Sequence, residues 1–199
     1  MKKKIIKIKK TETEMFEFIK NLGKKRMIKQ LKGATRTKKI ENLEQVKQIG
    51  VIFRVADEYD WNVIYHFIKV MEGAQKRVSV VGLQEADTEL NYIITHSNTI
   101  VCREKEDLNF WGVPKEEKVK PFLDTHFDVL IDTTNQPDFF GQYLTLSSDA
   151  DLRVARIDTA DADSVSSSDI YDMMIHSEGT LDMKDYLNNV VNYLSAVQK

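Results

Sequence analysis

The chain is 199 residues long, 42% hydrophobic and 30% charged, with a net charge of −2, four histidines and one cysteine. That length and apolar content suffice for one well-buried core and a short appendage. A single cysteine, Cys102, excludes an internal disulfide framework and fits a reducing compartment.

The near-neutral total hides a split. Residues 1–48 hold 16 Lys/Arg against 5 Asp/Glu, whereas residues 49–199 hold 13 against 26. The sequence therefore divides into a basic amphipathic arm with its linker, 1–48, and an acidic body, 49–199. Met1–Lys10 has the positive charge of a signal peptide, but no apolar stretch follows it. No run approaches the ~18–20 apolar residues of a membrane helix. A cytoplasmic protein is expected.

In the arm, Met15, Phe18, Ile19 and Leu22, then Met27, Ile28 and Leu31, recur at helical spacing and read as one apolar stripe. Lys20, Lys24, Lys25, Arg26, Lys29 and Lys32 cover the other faces. Gly23 and Gly33 weaken or end the helix. Met1–Lys10 adds charge but little structure, and Gly33–Lys39 reads as a polar linker. Such a helix has three uses. It can lie on an anionic membrane surface. It can contact nucleic acid phosphates. Most plainly, it can dock on its own acidic body, on a protein partner or on a second copy. Membrane contact ranks above nucleic acid, because an apolar stripe has no use on a phosphate backbone.

In the body, short apolar runs alternate with helical patterns. Ile49–Val55 reads as a buried strand. Asp57–Gln75 follows as a helix through Trp61, Ile64, Tyr65, Ile68 and Met71, with Gly73 near its end. Arg77–Gly82 is a second strand, 85–96 a helix or loop, and Thr99–Cys102 a third strand. Cys102 reads as a small buried hydrophobe. Pro114 opens a helix that runs to about Leu123. Phe127–Asp132 is a fourth strand, Phe139–Ser148 an apolar helix and Leu152–Ile157 a fifth strand. Tyr171–Ile175 is a candidate sixth. Leu181–Val197 closes the chain as a helix with its stripe at Leu187, Val190, Val191 and Leu194.

Near-continuous apolar strands separated by helices predict a three-layer α/β fold with a mostly parallel sheet of five or six strands. Its order is either Rossmann-like or flavodoxin-like, the former favoured by six strands. Open parallel sheets hold ligands beyond the carboxyl ends of their strands. That rule selects Arg54 to Asp57, Gly82 to Glu85, Arg103, Asp132 to Asn135, and Asp158 to Asp163. Asp57, Asp132, Thr133, Asn135 and Asp158 are the candidate ligand-binding residues. An Asp and two hydroxyls at a strand end can hold a ribose, a sugar or a metal-bound water, but turn capping is the favoured reading of Asp132 to Asn135.

The acidic segment Asp158 to Asp169 lacks the glycine and terminal glutamate of a calcium loop and reads as a solvated, mobile loop, with a counter-surface for the arm as the alternative. His66, His96, His126 and His176 have no metal-ligand spacing, so no metal is assigned. Trp111 with Phe110 reads as a plug beside the helix after Pro114. There is no G-x-G-x-x-G after the first strand, no G-x-x-x-x-G-K-[ST], no G-x-S-x-G and no C-x-x-C. No cofactor is therefore expected.

The stretches Ile49-Gly50-Val51-Ile52-Phe53, Asp107-Leu108-Asn109-Phe110-Trp111-Gly112, Phe127–Asp132 and Tyr171–Ile175, behind a Lys-rich leader, are similar to an uncharacterised bacterial domain-of-unknown-function family over roughly residues 40–199. In that family's pattern an acidic residue often follows the first strand's Ile-Phe, where this chain has Arg54. Phe127–Asp158 also resembles the N-terminal half of heptosyltransferase-type glycosyltransferases. The chain is too short to hold the second half, which carries the sugar nucleotide, so that likeness implies a fold and no activity. The residues together lead to a non-catalytic binding or accessory module attached through its basic arm. The alternative is a nucleotide- or sugar-binding enzyme or sensor using the strand ends.

Overall fold

A computed structural model describes residues 2–33, 36–55, 57–84, 98–134, 138–158, 169–177 and 181–198, with side chains from Met15 onward except at 157, 158, 176 and 177. The elements in chain order are α1 (Lys2–Leu31), β1 (Gln48–Val55), α2 (Glu58–Gly73), β2 (Arg77–Gln84), β3 (Thr99–Arg103), α3 (Glu104–Asp107), α4 (Glu116–Leu123), β4 (Phe127–Asp132), α5 (Phe139–Ser147), β5 (Ala150–Asp158), β6 (Met173–Ser177) and α6 (Met183–Ala196).

The six strands form one open sheet in the order β3-β2-β1-β4-β5-β6, and every pairing is parallel. This is a doubly wound order, with β1 and β4 adjacent where the winding reverses, and not the flavodoxin order 2-1-3-4-5. The strands are β-branched and apolar on both faces because both faces are covered. On one face Trp61, Ile64, Ile68 and Met71 of α2 meet Tyr186, Leu187, Val190 and Leu194 of α6 over Val51, Phe53, Val80 and Ile131. On the other, Val119 and Phe122 of α4 and Phe140 and Leu144 of α5 cover Ile52, Val81, Leu130 and Cys102. Beside them Ile28 of α1 packs with Leu146, Ala155, Ile170 and Tyr171.

Several local expectations change. Pro114 does not open α4. It lies ahead of the Lys115 N-cap, buried and bridged to Leu108, and Pro121 stands inside the helix instead. Strand β6 begins at Met173, two residues later than expected, because Asp172 is held by side chains outside the sheet. Helix α2 ends at Gly73, yet the left-handed residue beyond it is Gln75, at φ 62°. The expected helix or loop over 85–96 falls outside the described residues.

Gly23 does not end α1, which runs unbroken through it. A Cβ there would sit 2.4 Å from the Trp111 ring, so the missing side chain lets the indole lie against the helix. Trp111 therefore packs on the arm rather than beside α4. The stretch expected as a linker is anchored from Arg36 onward. Arg36 Nη1 donates to the Ala150 and Asp151 carbonyls at 3.0 and 2.8 Å, and Nη2 pairs with Asp172. The Asn42 amide donates to the Ser195 and Val197 carbonyls at 3.2 and 2.6 Å.

Candidate functional site

The carboxyl ends of β1 and β4 are adjacent, and these strands lead to the N-termini of α2 and α5. Asp57 is exposed and caps α2, its carboxylate accepting from the Asp60 N–H at 2.9 Å. Asp138 caps α5 by accepting from the Gly141 N–H at 2.8 Å, and it forms an ion pair with Arg54. Arg54 thus clamps the end of β1 to the start of α5.

Asp132 is fully buried. Its carboxylate accepts from the Thr134 N–H at 3.0 Å, the Thr134 hydroxyl at 2.7 Å and the Tyr171 hydroxyl at 2.6 Å. Its carbonyl accepts from the Tyr186 hydroxyl at 3.0 Å. One residue thereby ties the end of β4 to the segment before β6 and to α6. Gly141 completes this packing, since a Cβ there would lie 2.4 Å from the Asp132 carboxylate. Thr133 is also buried, its N–H and hydroxyl both donating to the Ile52 carbonyl, at 2.9 and 3.0 Å. Asp132, Thr133 and their partners form one polar knot in the core. Asp57 stands apart from it on the surface. Asp158 ends β5, paired in register with Ser177, and its side chain lies outside the described residues, as does all of Asn135.

Burial pushes the Asp132 carboxyl up to about 6, against the hydrogen bonds from Tyr171 and Thr134 that favour the anion. A carboxyl whose folded value exceeds its unfolded one stabilises the fold while protonated, and that contribution is lost as pH rises through the folded value. As pH rises from 4 to 6, Asp132 alone therefore lowers stability by about 2 kcal/mol. Asp132→Asn is expected to flatten this stretch of the urea-stability curve. An unchanged pH profile in the variant would show that Asp132 does not titrate there.

On the amino edge of the sheet, His126, Asp128 and Asp151 bring ligand atoms within 4.8 Å of one another. Each is already engaged. His126 Nδ1 lies 2.9 Å from Asp149, a hydrogen bond that raises its pKa, and Asp128 accepts from the Lys47 and Gln48 N–H groups at 2.6 and 2.8 Å. We read the group as a surface ion-pair knot. A groove of about 440 Å³ lies between α2 and α6, walled by Val63, Phe67, Met71, Leu187 and Val191 with His66 on its rim.

The arm presents a different surface. At 100° per residue, Met15, Phe18, Ile19 and Leu22 fall on one face of α1, and Met27, Ile28 and Leu31 on the opposite face. The expected single stripe is therefore two. The second is inward: Ile28 is buried, and Met27 and Leu31 are half-buried. The first is outward, with Met15 61%, Phe18 67%, Ile19 50% and Leu22 59% exposed. Arg26 and Lys29, both exposed, continue the outward face toward the C-terminus. Lys20 and Lys24 lie on the inward side, over the rings of Phe110 and Phe139 at 5.9 and 5.1 Å. Among the described residues no helix is long and apolar enough to cross a membrane.

Residues 20–197 match the family of unknown function DUF6913, and the chain belongs to that family. No curated protein matches the chain. The matched span includes the second half of α1, so the inward-docking part of the arm is part of the family's domain.

Proposed function

We propose that this member of the family is a non-catalytic attachment module whose N-terminal helix lies on an anionic membrane surface. The carrying observation is the outward stripe Met15, Phe18, Ile19 and Leu22, which is exposed although the same helix has a separate stripe docked on its own domain. Own-body docking accounts for Ile28 and Leu31 and leaves the outward stripe without a use. An amphipathic helix with a cationic polar surface binds lipid by burying its apolar face at the headgroup boundary while its Lys/Arg meet anionic lipids.

Charge selects this occupant over the others. Two copies of so basic a helix would repel face to face. Nucleic acid would draw on the lysines but not on Phe18 or Ile19. A cytoplasmic location goes with this reading, since that leaflet carries the anionic lipid. The acidic body, with 26 Asp/Glu against 13 Lys/Arg, would be held off the surface and present its other faces to further partners. The alternative, a Rossmann-like nucleotide or sugar site, has less support, because Asp132 and Thr133 are buried and already bonded within the protein.

Vesicle flotation tests the proposal. The full chain is expected to float with phosphatidylglycerol-rich vesicles at low salt, to stay behind with phosphatidylcholine alone, and to lose much of its binding near 1 M salt, where the Debye length is about 3 Å. Equal binding to both lipids, or to neither, would refute it.

A further inference from the structure

We infer that the hollow beneath the last turn of α1 is a binding site for a phosphate monoester, built around Arg153. The hollow measures about 450 Å³, and Lys32, Arg36, Lys38, Ser147 and Arg153 line it. Arg153 belongs to β5 and is only 8% exposed. Its Nη2 donates to the Ser148 carbonyl at 3.1 Å, at the C-terminal end of α5, while its Nε is buried and has no hydrogen-bond partner among the described residues.

Among the described residues no carboxylate is ion-paired with this guanidinium, although Asp172 and Asp149 attract it at longer range. The nearest, Asp172, is taken by others: it pairs with Arg36, lies 3.0 Å from Lys38 Nζ and accepts the Arg153 backbone N–H at 2.9 Å. Two further acids, Asp149 and Asp169, also line the hollow. Asp149 is 73% exposed and turned to His126, and Asp169 is 76% exposed and 3.7 Å from Lys32. A buried arginine without a direct ion-pair partner is costly, and burial together with neighbouring Arg36 outweighs Asp172 and Asp149 and pulls its pKa down to about 10. A bound anion removes that cost.

A guanidinium binds phosphate through two parallel N–H donors. The two lysines at the mouth suit the second charge of a monoester better than a singly charged carboxylate would. A soluble phosphate ester and a lipid phosphate headgroup share this chemistry.

Calorimetry with inorganic phosphate, and flotation on phosphatidate against phosphatidylglycerol vesicles of equal charge, test the site on the full chain. Saturable phosphate binding that weakens at least about tenfold in Arg153→Gln assigns a soluble ester, that being the effect of losing one charge-assisted hydrogen bond. A phosphatidate preference that vanishes in Arg153→Gln, without free phosphate binding, assigns a lipid headgroup. If Arg153→Gln does not fold, the double variant Lys32→Gln/Lys38→Gln decides by the same readouts. Absence of both behaviours in the wild-type chain, or their persistence in these variants, overturns the proposal. The membrane proposal fails separately, since phosphatidylglycerol binding does not require Arg153.

Discussion

Deleting residues 1–22 is expected to leave the melting temperature within about 4 °C of the full chain, whereas deleting residues 1–40 lowers it by about 10–20 °C. The shorter cut removes the outward stripe and the edge contact of Phe16 on Phe110, at 5.0 Å between ring centroids. Such an aromatic pair contributes about 1 kcal/mol. The longer cut takes Ile28 and Leu31 off the cluster of Leu146, Ala155, Ile170 and Tyr171, about 3 kcal/mol of lost burial. It also removes Arg36 and Lys38 from Asp172, whose side chain is 8% exposed.

An unpartnered buried carboxylate costs about 3–5 kcal/mol. Allowing for overlap between the two losses, about 5 kcal/mol remains, and each kcal/mol shifts a domain of this size by roughly 2–4 °C. Acid separates the two losses. Burial alone would raise the Asp172 carboxyl, but the Arg36, Arg153 N–H and Lys38 hydrogen bonds outweigh it and hold it below its ordinary value. That contribution is present above the unfolded carboxylate range and fades as pH falls through the depressed value, so the gap between the truncations narrows in acid. Equal melting temperatures for both truncations would mean that residues 23–40 do not stabilise the body.

The double variant Phe18→Ser/Ile19→Ser is expected to lose binding to phosphatidylglycerol vesicles by about two to three powers of ten. Each side chain contributes roughly 1.5–3 kcal/mol when its apolar surface leaves water, and together they exceed the pull of any one lysine, about 1 kcal/mol. Both residues are at least half exposed, so the melting temperature should stay within about 2 °C. Lys25→Gln, in contrast, should weaken binding only severalfold and lessen its salt dependence. If the serine variant binds as well as the wild type, the stripe is not the contact and charge alone holds the protein to lipid.

The body's fold was readable because covered parallel strands leave an unambiguous mark: runs such as Phe127–Asp132 are apolar on both faces, and each is followed by a helical period. The site was harder. Asp132, Thr133 and Thr134 look alike in sequence whether they hold a ligand or one another, and only the arrival of Tyr171 and Tyr186 from far along the chain distinguishes the two. Arg153 carried a usable signal, a charge inside the apolar run of β5, although the hollow around it needs Lys32 and Arg36 from more than a hundred residues away. The arm misled for a geometric reason. Seven apolar residues at helical spacing look like one stripe until the shift across residues 22–27 is counted at 100° per residue, which turns the second group to the opposite face. Gly23 looked like a helix breaker because its packing partner, Trp111, is remote in sequence.

The most direct measurement places an environment-sensitive fluorophore on Ile19→Cys in the full chain, with Asn62→Cys, exposed on α2, as the reference position. Cys102 does not compete for the label, because burial takes it out of solvent and pushes its thiol up to about 12. On addition of phosphatidylglycerol vesicles, the probe at position 19 is expected to brighten and shift to the blue, while the probe at position 62 stays unchanged. Unchanged emission at position 19 on saturating vesicles would contradict the account, whether or not the protein sediments with them.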